Sequence, residues 1–136
     1  MKARNDEIAA MVDACERHLD DMGLLGYACA RNARLLTLAT VEYAQRRERA
    51  VREFGSEVRD ASGNVTGYTI NPFSENWRLY RERMGEFDAI EHDVDVFKIK
   101  AEDIVGAVSG KEMLALDFML DWGDGDGDTD AQGVGE

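Results

Sequence analysis

Ile8, Met11, Val12, Cys15 and Leu19 recur at spacings of three and four. That period marks one apolar face of a helix. It predicts a first helix over residues 5–22, closed by Gly23 as a left-handed C-terminal cap with Leu24 folding back on the last turn. A second, unbroken helix is predicted from Tyr27 to Phe54, with Leu35, Leu38, Ala39, Val41 and Tyr43 as its apolar middle and Gly55 as its stop. At 1.5 Å per residue such a helix would be about 40 Å long. That length suits a hairpin arm or an oligomer contact.

The helical period then lapses. "EVRD" and "VTGYTI" flank the turn cluster "ASGN", which predicts a small β-hairpin or extended loop. Two strands alone are barely stable, so this piece must lean on helices or on a neighbouring subunit. Asn71-Pro72 predicts the opening of a third helix, because Asn suits the N-cap and proline the first helical position. Phe73, Trp77, Tyr80, Met84, Phe87 and Val94 follow with heptad spacing, broken by Glu91. The stripe reads as a seam, either against the second helix in an antiparallel hairpin or against another subunit.

"DVDVFKIK" alternates polar and apolar residues and reads as extended, and a weak helix follows near 101–108. Ser109 and Glu112 make a capping-box signature before "MLALDFML". Met113, Leu114, Leu116, Phe118, Met119, Leu120 and Trp122 make this last helix apolar nearly all round, so it is either buried or waits for a partner. The expected architecture is mainly α: a long antiparallel helical hairpin with a short β-hairpin or extended loop between its helices, a short C-terminal helix and an acidic tail. One domain would span residues 1–121 and a disordered Gly/Asp-rich tail residues 122–136.

Composition sharpens the picture through charge. Residues 1–85 hold 13 Lys/Arg and 13 Asp/Glu, whereas residues 86–136 hold three lysines against 15 acids, the whole of the net −12. Twelve of the 16 basic residues are arginine, and none lies beyond Arg83. An arginine-rich front and an acidic back suggest different partners for the two halves. No apolar run is long enough to span a bilayer and no apolar signal core opens the chain, so a cytoplasmic protein without membrane contact is expected. Cys15 and Cys29 fit reduced, buried thiols better than a disulfide framework.

Candidate chemistry is sparse. Asp124, Asp126 and Asp128 have the 1-3-5 spacing of a calcium loop, but Thr129 stands at the glycine position and no helix follows, so a solvated acidic tail is expected. Cys15, His18 and Cys29 lack a fourth zinc ligand, and "EHDVD" (Glu91, His92, Asp93, Asp95) lacks a second carboxylate cluster and reads as an exposed acidic helix end. No phosphate loop, activated nucleophile or dinucleotide fingerprint is present. No catalysis, metal or cofactor is expected. The arginines remain: Arg31, Arg34, Arg46, Arg47, Arg49 and Arg52 on the second helix, with Arg78, Arg81 and Arg83 on the third. Guanidinium forks suit phosphates, and they equally suit salt bridges with Glu42, Glu48, Glu53, Glu82 and Glu86.

The order of parts carries a resemblance. Gly23-Leu24, a long helix through Tyr43, Gly55, a loop with Gly63 or Gly67, and Asn71-Pro72 opening the next helix together resemble the small terminase subunits of tailed phages over residues 15–90. The resemblance implies a non-enzymatic component of a genome-packaging motor. Such subunits form homo-oligomeric rings, bind double-stranded viral DNA and pass it to the large terminase subunit in the host cytoplasm. The six arginines from Arg31 to Arg52 would then contact DNA. Phe73, Trp77, Tyr80, Met84 and Phe87 would form an oligomer or hairpin seam. Met113, Leu116, Phe118, Leu120 and Trp122 would dock the large subunit as a helix in a groove. The competing readings are a helical adaptor that does not bind DNA, an acidic DNA mimic, and a metal-dependent phosphate enzyme built on "EHDVD".

Overall fold

The structure is a computed structural model that describes residues 1–123. In chain order it contains β1 (Lys2–Arg4), α1 (Asn5–Glu16), α2 (Leu24–Ala39), α3 (Val41–Phe54), β2 (Ser56–Arg59), β3 (Val65–Thr69), α4 (Glu75–Asp88), β4 (Glu91–Asp93), β5 (Ile99–Lys100), α5 (Gly110–Ala115) and β6 (Leu120–Asp121). The described residues are mainly helical. Three two-stranded sheets join the helices: β1 with β4 and β2 with β3 are antiparallel, and β5 with β6 is parallel.

The first helix stops at Glu16, six residues before the predicted Met22. Residues 17–21 turn instead, with His18 N–H donating to the Cys15 carbonyl (3.0 Å) and Asp21 N–H to the His18 carbonyl (3.2 Å). Asp21 Oδ1 then accepts from the N–H groups of Gly23 (2.8 Å) and Gly26 (3.2 Å). Gly23 is therefore the extended residue that starts α2 (φ −100°), not the left-handed cap that ends α1. Gly26 is required by a close approach, since a Cβ there would fall on the Asp21 carbonyl. An acidic side chain at the start of a helix is also favoured by the helix dipole.

The long second helix is two helices. Thr40 has φ −124° and ψ 27°, outside the helical region. Its Oγ1 donates to the Leu36 carbonyl (2.9 Å), while its N–H donates to Thr37 instead. A hydroxyl competing for the i−4 carbonyl is the ordinary way a threonine disturbs a helix. The 40 Å arm of the expected hairpin is thus replaced by α2 and α3 in succession. The helix that packs against α4 is α3 alone. Tyr43 Oη donates to Asp88 (2.7 Å) near one end of the pair, and Arg83 makes a two-pronged bond to Glu53 (2.9 and 3.1 Å) towards the other.

Between them stands the β2–β3 hairpin expected from "EVRD" and "VTGYTI". Asp60 Oδ1 tightens its turn by accepting from the N–H groups of Ser62 (2.9 Å) and Asn64 (3.0 Å). Gly55 joins α3 to β2, where a Cβ would collide with the carbonyls of Val51 and Thr69. Asn71-Pro72 does not open α4. Asn71 Oδ1 accepts from Phe73 N–H (2.9 Å) and its carbonyl from Ser74 N–H (3.0 Å), which makes a separate turn. Ser74 is the true N-cap, its Oγ accepting from Trp77 N–H (3.2 Å), and α4 ends at Asp88, short of Val94. "EHDVD" is correspondingly strand β4 plus Val94 and Asp95, not a helix end.

The largest core cluster joins Ala14 and Cys15 of α1, Leu25, Ala28 and Cys29 of α2, and Ile99, Ala101, Ile104, Leu116, Met119 and Leu120 from the C-terminal quarter. Asn32, fully buried on α2, binds both backbone groups of Phe97: Nδ2 donates to its carbonyl (2.8 Å) and Oδ1 accepts from its N–H (2.7 Å). A smaller cluster holds Tyr43, Ala50 and Met84 between α3 and α4. Ser109 caps α5 as predicted, its Oγ accepting from Glu112 N–H (3.2 Å). The Glu112 carboxylate does not complete a capping box. It accepts from Arg17 Nε (3.1 Å) and pairs with His18 Nε2 (2.7 Å), tying α5 to the end of α1. No helix of the described residues is long and apolar enough to cross a membrane.

Candidate functional site

The break at Thr40 divides the predicted DNA-contacting arginines. Arg31 and Arg34 stand on α2, while Arg46, Arg47, Arg49 and Arg52 stand on α3. They also differ in surroundings. Arg31 lies over the Phe97 ring (4.6 Å to its centroid), Arg46 over Phe87 (5.5 Å) and Arg52 over Tyr68 (5.4 Å). Cations held over aromatic faces keep their outward N–H groups free to donate.

Ion pairing divides the arginines: among the described residues five of these six and Arg81 of α4 have no carboxylate within reach, and the rest are paired. Among the described residues, Arg31, Arg34, Arg46, Arg47 and Arg49 have no carboxylate within ion-pair distance, and only Arg52 does, with Glu48 (3.1 Å). Outside the set, Arg4 pairs with Asp6, Arg17 with Glu112, Arg59 with Glu57, Arg78 with Glu75 and Glu82, and Arg83 with Glu53. Of the salt bridges considered from sequence, Glu48, Glu53 and Glu82 take part in one, and Glu42 and Glu86 take part in none among the described residues.

A cleft of about 820 Å³ opens beside α3. Arg47 and Arg52 line it from α3, Asp13 and Glu16 from α1, and Val65 to Tyr68 from β3. Its two signs of charge suit a zwitterionic or peptidic guest better than a polyanion. Tyr43 also lines the cleft, and its hydroxyl is pushed up to about 12 by burial and by its bond to Asp88, so it remains a donor throughout the physiological range.

The seam and docking residues fall differently from expectation. Met84 is buried, Tyr80 and Phe87 pack against it, and Trp77 stacks on Tyr80 with ring centroids 5.5 Å apart. Phe73 is 96% exposed and takes no part in this packing. Leu116 and Leu120 are buried in the main core, and Met113 and Phe118 pack against it. Leu116 and Leu120 cannot enter a partner's groove without opening the core, whereas Met113 and Phe118 are half-buried at its edge. Of the five predicted docking residues, Trp122 alone is largely open, with its Nε1 donating to Asp117 (2.7 Å).

Sequence reasoning also misplaced the inner face of α2. Leu25, Cys29, Asn32 and Leu36 point inward, and Leu38 of the predicted apolar middle is 65% exposed. The spacing of Leu25, Cys29, Asn32 and Leu36 carried that signal, masked by the polar Asn32. Cys15 and Cys29 are free, buried thiols. The neighbouring Cys29 thiol and burial push the Cys15 thiol well above its ordinary value. No group of three or more His, Cys, Asp or Glu able to hold a metal occurs among the described residues. His92 bonds Asn5 Oδ1 (2.8 Å) instead. The Asp124–Asp126–Asp128 spacing lies outside the described residues.

No family model, curated protein or solved structure matches the chain.

Proposed function

We propose that the chain is a non-enzymatic, self-associating DNA-packaging component of the small terminase type, with α3 as its DNA-contacting helix. The observation that carries this reading is the pairing contrast among the arginines. Arg46, Arg47 and Arg49 of α3 have no carboxylate partner among the described residues, whereas Arg4, Arg17, Arg59, Arg78 and Arg83 are paired; Arg52 of α3 pairs with Glu48, and Arg81 is the one arginine of α4 without a partner there. An unpaired guanidinium on a helix surface loses no existing ion pair when a phosphate arrives, and it binds phosphate as a fork. The order of parts supports the same reading: a helix ended at Gly55, a hairpin, an Asn-Pro turn and a further helix.

DNA binding at low and moderate salt tests it, read by fluorescence anisotropy on double-stranded DNA. Changing Arg46, Arg47 and Arg49 together to Glu is expected to abolish binding and flatten its salt dependence, each lost phosphate contact lowering the log–log slope by about 0.9. Undiminished binding by this variant overturns the assignment of α3. Solution mass tests self-association, and a monomer at working concentrations overturns the ring. The competing reading, a helical adaptor that does not bind DNA, draws on the net charge of −12 and is selected if the unaltered chain leaves DNA free.

A further inference from the structure

We infer that the outer face of α2 is a docking surface for an acidic amphipathic helix of another protein. Leu24, Tyr27, Leu35 and Leu38 lie on one stripe of α2 and are 37–65% exposed. Their spacing of three, eight and three residues follows the helical repeat, and from Leu24 to Leu38 the stripe is about 21 Å long. Together these fractions leave roughly 400 Å² of largely apolar surface, the size at which a monomer's largest patch is often functional. Arg31 and Arg34 rise from the middle of this stripe, and neither has a carboxylate partner among the described residues.

The charges decide the occupant. The stripe is symmetric about Arg31: an antiparallel pairing with a second copy would set Leu24 against Leu38 and Tyr27 against Leu35. The same register places the two Arg31 side chains on the axis with Arg34 close by, four like charges and no counter-ion. A partner helix with its own apolar stripe and glutamate or aspartate at its centre satisfies both the leucines and the guanidinium groups. Duplex DNA has no apolar face to cover three leucines and a tyrosine. The chain's own stretch Asp124–Asp130 supplies carboxylates without an apolar side chain.

The test uses the full chain and a labelled synthetic helix of about four turns, with leucines at the i, i+3, i+4, i+7 repeat and glutamates beside them. A second peptide carries lysines in place of the glutamates. The glutamate peptide is expected to bind at least about tenfold more tightly than the lysine peptide, and the R31E/R34E variant should reverse that order. The L38E variant should weaken the glutamate peptide by about tenfold or more. These positions are exposed, so circular dichroism should be unchanged. Equal binding of the two peptides, or no reversal, overturns the inference. So does a dimer that L38E dissolves, which would make the stripe a self-interface. So does a loss of DNA affinity in R31E/R34E as large as in the α3 triple variant, which would hand the face to DNA. Failure of DNA binding at α3 alone leaves the peptide result standing, so the two proposals fail separately.

Discussion

The C-terminal quarter and the α3–β2–β3–α4 arm invert what their sequences advertise. "MLALDFML" looks like an apolar handle held out to a partner, yet Leu116, Met119 and Leu120 are buried between α1 and α2. The arm carries the strongest aromatic periodicity in the chain, yet it buries Tyr43, Ala50 and Met84 and leaves its hairpin exposed. The lesson is that an all-round apolar run is core when the helices beside it offer mostly small apolar side chains, and here only Gly110–Ala115 of that run is α-helix, the buried residues lying beyond it. Ala14, Cys15, Ala28 and Cys29 are small, and long C-terminal side chains fill the space they leave.

Two methionines measure the contrast directly, since Met119 and Met84 are equally buried. Met119→Ala is expected to cost about 4 kcal/mol and Met84→Ala about 2 kcal/mol in urea unfolding, because the two-helix arm can collapse onto a cavity and the main core cannot. Equal costs would break the comparison. Asn32→Ala should cost about 3 kcal/mol, leaving both backbone groups of Phe97 without their partner in the main core. A loss below about 0.5 kcal/mol would show that water replaces the amide there.

In the arm, Tyr43→Phe should cost about 1 kcal/mol by deleting the bond to Asp88. It also has a pH signature. The native hydroxyl titrates near 12, above its ordinary value, so the stability it adds is complete below pH 10 and is lost as pH rises towards 12. The Phe variant should lack that alkaline loss. The smallest effect belongs to Glu112, whose carboxyl is held below the usual range first by Arg17 and then by His18. Its contribution is present above the ordinary carboxylate range and fades as pH falls through the lowered native value. Glu112→Gln should lower stability slightly at neutral pH, flatten the acid limb, and leave stability unchanged at a pH below the lowered native value.

Much of the fold was legible where chemistry is local. The Ser109 cap, the β2–β3 hairpin with its Asp60-closed turn and the stop at Gly55 follow from side chains within a few residues of one another. The rest depended on competition between equally local signals. Thr40 could have continued a helix, and it broke one because its hydroxyl took the Leu36 carbonyl. Asn71-Pro72 and Ser74 are both capping signals three residues apart, and the serine prevailed because Asn71 spends its side chain on its own turn. The arginine positions could be read from the chain. Which of them would find carboxylates could not, because Arg83 meets Glu53 across 30 residues and Arg17 meets Glu112 across 95.

The parallel pairing of Ile99–Lys100 with Leu120–Asp121 has a consequence for how the protein is made. On a ribosome, α1 and α2 emerge first with one side of the main core open, and the side chains that fill it come about ninety residues later. The nascent chain must hold that apolar face exposed until Leu116 to Leu120 have cleared the exit tunnel. Synthesis that halts before this point releases a polypeptide with an unfilled core, a substrate for proteases and chaperones. Leu120–Asp121, the last strand among the described residues, thus sets the point in synthesis at which the main core can close.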